Sequence, residues 1–180
     1  MKQLVVLDRD GVINADSDEY IKSPDEWHAI PGSIRAISRL TNAGYHIAVV
    51  TNQSGLARGF FDIGALNDIH RKMYQEVRKL GGRIDAVLFC PHGPDDDCAC
   101  RKPKPGMLRE LSERLRSDLI DVPMIGDSLR DLQAAQAVGG RPILVRTGKG
   151  AMTEESGEGL KNIEIFDDLA SVVNELLAAP

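Results

Sequence analysis

Two aspartates separated by one residue follow the first apolar run of the chain. Residues 4–7 are continuously apolar, which indicates a buried parallel strand, and Asp8 and Asp10 come directly after them. Alternate side chains of an extended segment share one face, so these two carboxylates can act together, and Gly11 allows a sharp turn beside a ligand. An Asp-x-Asp-Gly tetrapeptide on its own is more often a simple turn than an active site. A calcium loop is excluded because its sixth position, which must be glycine, is Ile13.

Polar side chains follow three of the predicted strands. They are Asp8 with Asp10, Thr51 with Asn52, and Asp127 with Asp131. The carboxyl edge of an open parallel sheet is where ligands bind, so we expect these groups to converge in one crevice. Two carboxylates ~4 Å apart repel by about 4 kcal/mol at an effective dielectric constant of about 20, which favours a divalent cation between them. Oxygen ligands in small number suit Mg²⁺, which also pairs with substrate phosphate.

Simpler interpretations of the second and third groups remain open at this point. Thr51 is also a suitable helix-cap or turn residue. Asp127 and Asp131 lie four residues apart, where they could be acids at a helix start favoured by the helix dipole. We expect Asp131 to support the site rather than to ligate a metal.

Strand and helix patterns alternate along the whole chain. Residues 4–7, 46–50, 84–89, 122–127, 142–145 and 163–166 are predicted to be short strands, and helical periodicity covers residues 34–44, 62–80, 105–115, 128–138 and 168–177. This alternation predicts an α/β, doubly wound, three-layer fold with a central parallel sheet. At 180 residues, with no linker or repeat, we expect one domain over residues 1–180.

Composition restricts the classes of partner. The formal net charge is -5 at pH 7, which argues against a nucleic acid or an anionic membrane surface as partner. No apolar run approaches the roughly 18 residues of a membrane span, and the first strand begins too early to leave room for a signal peptide. We therefore expect a cytoplasmic monomer that acts on a small molecule.

Four metal-binding side chains lie close together in the middle of the chain. They are Cys90, His92, Cys98 and Cys100. This set matches a tetrahedral Cys3His zinc site, and with four protein ligands the zinc would be structural rather than catalytic. The odd cysteine count argues against a disulfide framework. A redox-active cysteine pair is a weaker interpretation than a zinc site, because Cys98 and Cys100 lack a two-residue spacer. Arg101 and Lys102 follow directly, so the zinc loop would present both cations to the crevice rather than to solvent or to a partner protein.

Several other residues carry no matched partners in the sequence. His28, His46 and His70 are predicted to be surface or packing residues. Residues 146–150 superficially suggest a phosphate loop but lack the Walker spacing, so we predict an ordinary surface loop there.

The ordered motifs identify a family resemblance. Asp8-x-Asp10-Gly11, Thr51-Asn52, Lys102 and Gly126-Asp127-x-x-x-Asp131 resemble the four motifs of the haloacid dehalogenase-like phosphatases. The resemblance implies that family's fold and an aspartyl-phosphate mechanism, with Asp8 as nucleophile and Asp10 as general acid and base. It implies that Thr51 and Lys102 hold the phosphoryl oxygens, and that Mg²⁺ lies on Asp8, Asp127 and the backbone carbonyl of Asp10. Val12 stands where many relatives have threonine.

The zinc loop and residues 51–59 and 100–107 narrow this resemblance to phosphatases that remove the C7 phosphate of heptose 1,7-bisphosphate for lipopolysaccharide synthesis. That subfamily lacks a large cap domain. It is related to histidinol-phosphate phosphatases, so hydrolysis of histidinol phosphate is the alternative activity. A non-catalytic zinc-stabilised binding module is a less favoured alternative, because both motif aspartates are intact. The resemblance implies a substrate-contacting set of Asp16, Tyr20, Asn52, Gln53, Ser54, Arg101 and Ser128. Ser128 departs from the lysine of many relatives. Arg101 is the candidate for binding a second phosphate, because the guanidinium fork suits phosphate.

Overall fold

The centre of the molecule is a six-stranded sheet in which every neighbouring pair of strands is parallel. The computed structural model describes residues 3–178. The strands are β1 (Leu4–Leu7), β2 (His46–Asn52), β3 (Ala86–Cys90), β4 (Pro123–Gly126), β5 (Arg141–Val145) and β6 (Glu164–Phe166). Their spatial order is β3-β2-β1-β4-β5-β6. This is the doubly wound order, so the predicted α/β fold is confirmed.

Helices cover both faces of this sheet. They are α1 (Ser33–Asn42), α2 (Ile63–Lys79), α3 (Gly106–Leu115), α4 (Leu129–Gln136), α5 (Gly150–Ser156) and α6 (Leu169–Ala178). Side chains alternate along β1, so Val5 and Leu7 pack in one buried cluster with α1, α2 and α6. Leu4 and Val6 pack in the opposite cluster with α3 and α4. The strands are thus buried on both sides, which explains their continuous apolar sequences.

The register of β1 brings its end beside the ends of its two neighbours. Leu7 pairs with Val49 of β2 and with Ile125 of β4. The strand order reverses at β1, and ligands of open α/β sheets bind in the crevice outside such a switch point. The fold therefore brings the residues that follow β1, β2 and β4 to one place.

The connection between β1 and α1 is long but contributes to the core. Ile21 and Trp27 are buried among the residues that pack α1 against the sheet, and residues 24–26 form a short 3-10 helix. Within residues 3–178 no cap domain is inserted between the motifs, and none of the helices there has the length and hydropathy of a membrane span.

Most predicted elements shift by one or two residues at their ends; β2, for example, extends through Thr51 and Asn52, and two further differences affect the site. The strand β3 covers Ala86–Cys90 rather than residues 84–89, so it runs directly into the zinc loop. The helix α5 was not predicted, because only Gly150 of its seven residues is buried and no apolar stripe marks it. Its position is set instead by hydrogen bonds, including one from the Thr153 hydroxyl to the Asp127 carbonyl at 2.9 Å.

Candidate active site

Three carboxylates meet where β1 and β4 end. Oxygens of Asp8, Asp127 and Asp131 all lie within 4.8 Å of one another. The backbone of Gly11 (φ 82°) packs directly on this cluster, because a Cβ at that position would lie 2.0 Å from Asp127 Oδ2. A non-glycine residue there would displace the carboxylate or the loop.

The electrostatics of this cluster suit a divalent cation. Burial raises the pKa of Asp8 to about 7, with nearby Asp131 and Asp10 adding to the shift and Lys102 opposing it. Burial, followed by repulsion from Asp8 and Asp131, raises the pKa of Asp127 to about 8. Closely spaced carboxylates of this kind remain ionised at neutral pH when a cation joins them. An all-oxygen donor set fits Mg²⁺ rather than a soft metal.

Lys102 supplies a buried positive charge to the same cluster. Its Nζ lies 3.0 Å from Asp8 Oδ1 and 2.6 Å from Asp131 Oδ1, and it donates to the Val50 carbonyl at 2.8 Å. Burial alone would lower the pKa of Lys102, but the two carboxylates outweigh it and raise that pKa. The ammonium group is therefore charged and held beside the carboxylate that follows β1.

Asn52 positions the Lys102 backbone. Its amide nitrogen donates to the Lys102 carbonyl, and its amide oxygen accepts from the Lys102 N–H, each at 3.1 Å. These two bonds join the end of β2 to the segment that follows the cysteines. Asn52 also lines the cleft, where its substrate contact was predicted.

Asp10 lies beside the acid cluster but its side chain is bound elsewhere. Arg9 Nη2 donates to both Asp10 oxygens at 2.9 and 3.0 Å, while Asn14 Nδ2 and Gln53 Nε2 each donate at 2.8 Å. Burial opposes ionisation here, but Arg9 and these hydrogen bonds lower the pKa of Asp10. The side chain of Asp10 is not part of the three-carboxylate cluster, which leaves only its backbone carbonyl for the predicted Mg²⁺ contact.

The predicted substrate contacts line one open cleft above this cluster. They are Asp16, Tyr20, Asn52, Gln53, Ser54, Arg101 and Ser128, together with Thr51 of the predicted catalytic set. Thr51 is buried and its hydroxyl accepts from Gln53 Nε2 at 2.9 Å. Tyr20 has a left-handed backbone (φ 64°), and its ring centroid lies 5.1 Å from that of Phe60. Ser128 is the N-cap residue of α4, and both its backbone N–H and its hydroxyl donate to Asp131 Oδ2.

Residues 146–150 are not an ordinary surface loop, and that prediction is wrong. The Lys149 N–H donates to Asp127 Oδ2 at 2.8 Å, and the Thr147 hydroxyl donates to the Gly11 carbonyl at 2.6 Å. A Cβ on Gly148 would lie 2.2 Å from Asp127 Oδ2. The Lys149 ammonium pairs with Asp18 at 3.1 Å. The loop therefore closes one side of the carboxylate cluster.

Other residues of this region were not predicted from the sequence. Arg58, Arg130 and Lys149 add positive charge to the cleft lining. Arg9 is fully buried, and so is Asn14. The signal for Arg9 was its place between two aspartates at a strand end, where a buried cation needs an anionic partner. No local signal marked the others.

The four zinc-type side chains come together as predicted from their spacing. Cys90 Sγ lies 3.1 Å from Cys100 Sγ and 3.8 Å from Cys98 Sγ, and His92 Nδ1 lies 3.2 Å from Cys100 Sγ and 3.6 Å from Cys90 Sγ. Ligands about 2.0–2.3 Å from one tetrahedral zinc are separated by distances of this order. All three cysteines are free thiols. Arg101 Nη1 donates to the His92 carbonyl at 3.2 Å, linking this cluster to the cleft.

The chain matches models of known protein families. The family model described as HAD-hydrolase-like matches residues 99–172. The family model described as polynucleotide kinase 3 phosphatase matches residues 3–131.

Individual relatives match the chain over nearly its full length. The D-glycero-beta-D-manno-heptose-1,7-bisphosphate 7-phosphatase of Bordetella bronchiseptica is 54% identical over 97% of this chain and 98% of its own. The protein of the same name from Pseudomonas aeruginosa is 52% identical over 98% of each chain.

Solved structures give the same result. The crystal structure of D,D-heptose 1,7-bisphosphate phosphatase from B. bronchiseptica, complexed with magnesium and phosphate, has a TM-score of 0.97 at 53% identity and covers 99% of both chains. The Burkholderia thailandensis enzyme has a TM-score of 0.79 at 46% identity, covering 98% of this chain and 99% of its own. The chain therefore belongs to the D-glycero-beta-D-manno-heptose-1,7-bisphosphate 7-phosphatase family of haloacid dehalogenase-like hydrolases.

Proposed function

We propose that this chain is a Mg²⁺-dependent phosphatase that removes the C7 phosphate of D-glycero-β-D-manno-heptose 1,7-bisphosphate. The product would enter the synthesis of nucleotide-activated heptose for lipopolysaccharide. One observation carries the proposal: the Asp8 carboxylate lies 3.0 Å from a buried lysine and within a three-carboxylate cluster at the floor of a cleft. The β anomer is the one named in the relatives.

In the first half of the reaction, an Asp8 oxygen attacks phosphorus. The new bond is Asp8 O–P and the bond that breaks is P–O7, so the sugar oxygen leaves as an alkoxide that needs a proton. Asp10 supplies this proton. Its low pKa in the free protein reflects Arg9 and its hydrogen bonds, and a phosphate dianion arriving nearby opposes ionisation and raises that pKa.

In the second half, water attacks the phosphorus of the aspartyl-phosphate. Asp10 is now ionised and takes the proton from that water, while the Asp8 O–P bond breaks and inorganic phosphate forms. Thr51 and Lys102 hold the phosphoryl oxygens in both halves. Positioning and charge neutralisation supply most of the rate enhancement in phosphoryl transfer.

Asp8, Asp127 and the Asp10 backbone carbonyl would hold Mg²⁺. When bound, the ion neutralises the phosphoryl oxygens and the repelling carboxylates. Asp131 has a separate task, because its oxygens bind Lys102 and the N-terminal end of α4. Cys90, His92, Cys98 and Cys100 would hold a structural Zn²⁺ that fixes the segment leading to Lys102.

A bisphosphate carries a second group of negative charge, and the cleft has cations to receive it. Arg101 is our first candidate, with Arg58, Arg130 and Lys149 also lining the cleft. One guanidinium group can bind two phosphate oxygens at once, so the presence of three arginines in the cleft favours a doubly phosphorylated substrate over a monophosphate. We further propose that residues 1–180 act as one cytoplasmic catalytic domain and as a monomer.

The test is a Mg²⁺-dependent reaction followed by ³¹P NMR. The substrates are the α and β anomers of heptose 1,7-bisphosphate and, for comparison, histidinol phosphate, with Asp8→Asn as the inactive control. We expect loss of the C7 resonance while the C1 resonance remains, with the highest kcat/KM for the β anomer. A higher kcat/KM for histidinol phosphate, or loss of the C1 phosphate first, would refute the substrate assignment.

A further inference from the structure

We propose that Arg9 and His70 are positioning residues for Asp10, acting as a buried chain that runs from the loop after β1 to α2. The inference rests on the proposed function, because it concerns the group that transfers the proton to the leaving oxygen. Neither residue was assigned a role by the motifs, and neither lines the cleft above the carboxylate cluster.

The first link is the Arg9 guanidinium. Arg9 is 0% exposed, and its Nε and Nη2 contact Asp10 Oδ1 at 3.1 and 2.9 Å, with Nη2 also 3.0 Å from Asp10 Oδ2. A fully buried cation is expensive unless all of its donors are paired. All three of these contacts go to Asp10, so Nη1, on the far side of the guanidinium, still needs a hydrogen-bond acceptor.

The second link gives that nitrogen an acceptor for one of its two N–H groups. His70 Nε2, on α2, lies 3.3 Å from Arg9 Nη1. Burial, followed by the positive charge of Arg9, lowers the pKa of His70 to about 4. The ring is therefore neutral near pH 7, and Nε2 accepts from Arg9 in the tautomer that carries its proton on Nδ1.

The planar guanidinium transmits this constraint. Because its donors form a rigid fork, an acceptor that fixes Nη1 also fixes the directions of Nε and Nη2. His70 thereby sets the plane of the guanidinium that holds Asp10, although the side chains of Arg9 and Asp10 separate His70 from the reacting atoms. General acid–base catalysis contributes roughly 10²–10⁴-fold, and it falls steeply with misplacement of the proton donor.

Three variants of α2 test the inference. His70→Leu removes the acceptor, His70→Gln restores one in its side-chain amide oxygen, and Lys72→Met is the matched control. Lys72 lies on the same helix and anchors it through hydrogen bonds to the Pro24 and Trp27 carbonyls at 2.6 and 2.9 Å, but it does not contact Arg9. Leaving-group release is measured in a single turnover with heptose 1,7-bisphosphate and with 4-nitrophenyl phosphate, whose leaving group needs no proton.

We expect His70→Leu to slow release from the sugar phosphate by about tenfold, with KM within about twofold, and to leave release of 4-nitrophenolate within about twofold of the parent. We expect His70→Gln to recover most of the loss, and Lys72→Met to affect both substrates equally if at all. Equal effects of His70→Leu on the two substrates, or no effect, would overturn the inference. A parent protein that hydrolyses neither ester would instead refute the proposed function.

A spectroscopic measurement on the unaltered protein makes the inference independent of whether a variant folds. The ¹⁵N chemical shifts of the His70 ring, recorded near pH 7, should show a protonated Nδ1 and an unprotonated Nε2. A protonated Nε2 cannot accept from Arg9 and would contradict the positioning chain.

Discussion

Removal of the Lys102 charge gives a prediction whose size follows from the contacts of one side chain. Lys102 is 6% exposed, and its Nζ contacts Asp8 and Asp131 at 3.0 and 2.6 Å. In Lys102→Met these carboxylates and Asp127 remain buried without a protein cation among them. Removal of one partner from a buried ion pair costs about 3–5 kcal/mol, so we expect a loss of this order in the free energy of unfolding at about pH 8 in EDTA.

This loss of stability should depend on pH. Attraction to Lys102 is the contribution that lowers the pKa of Asp8, so the substitution raises that pKa above its present value of about 7. At about pH 5.5 Asp8 is already protonated in both proteins and contributes little to the ion pair. The loss should therefore be clearly smaller at the lower pH.

Urea unfolding of both proteins at the two pH values, with EDTA, measures these differences. Lys104→Met is the matched control, because Lys104 pairs with Asp97 at 2.7 Å on the exposed surface two residues away, and its loss should leave stability unchanged. A loss below about 1 kcal/mol for Lys102→Met, or one that is equal at both pH values, would refute the burial and pairing on which the site is built.

Three further predictions concern the metals and the substrate. Burial raises the pKa values of Asp8 and Asp127 to about 7 and about 8, so the folded protein without metal binds more protons than the unfolded chain. The stability of the metal-free protein should therefore fall as pH rises from about 4 to about 8. Calorimetry should correspondingly show Mg²⁺ affinity increasing from about pH 6 to about pH 8 with release of protons; constant affinity would contradict it. Cys98→Ala should lose bound zinc and lower the melting temperature, and unchanged zinc by elemental analysis would exclude the site. Arg101→Ala should raise KM for heptose bisphosphate about tenfold or more while affecting a sugar monophosphate less, with zinc content as the control; equal losses would remove its second-phosphate role.

The fold was predictable because its strands are buried on both faces. Parallel strands in this setting appear as continuous apolar runs, so residues 4–7 and 46–50 were identified from local sequence alone. The convergence of Asp8, Thr51 and Asp127 was predicted from a general property of such sheets, that polar residues at the ends of neighbouring strands meet at one edge. Lys102 was placed there by a different argument, its position directly after the zinc loop. Family membership was also predicted correctly from the order of the motifs.

The remainder depended on contacts between distant segments. Thr147 and Gly11 are 136 positions apart, and nothing local indicates that one donates to the carbonyl of the other. The role of the loop that contains Lys149 is therefore set by tertiary packing rather than by its own composition. The helix α5 has no apolar stripe, and its place is likewise set by contacts with distant residues, such as the hydrogen bond from the Thr153 hydroxyl to the Asp127 carbonyl.

The pairing of Arg9 with Asp10 and His70 shows the same limit at close range. Arg9 adjoins both motif aspartates in sequence, yet its choice of partner depends on α2, which contributes His70 from 61 positions away. The place of Arg9 between two aspartates at a strand end is a signal that it pairs with an anion, but this signal was not used in the sequence prediction. The contact with His70 could not be predicted in this way, since it requires the packing of the loop after β1 against α2.

The most direct test of the account is identification of the residue that receives the phosphoryl group. With 4-nitrophenyl phosphate, whose leaving group needs no proton, Asp10→Asn should still allow attack by Asp8 but should slow hydrolysis of the intermediate, because no base then takes the proton from water. After reaction with 4-nitrophenyl phosphate and Mg²⁺ followed by an acid quench, mass spectrometry should find one phosphoryl group on the peptide that contains Asp8. Phosphate release at the parent rate with no such adduct, or an adduct on another residue, would contradict the central claim.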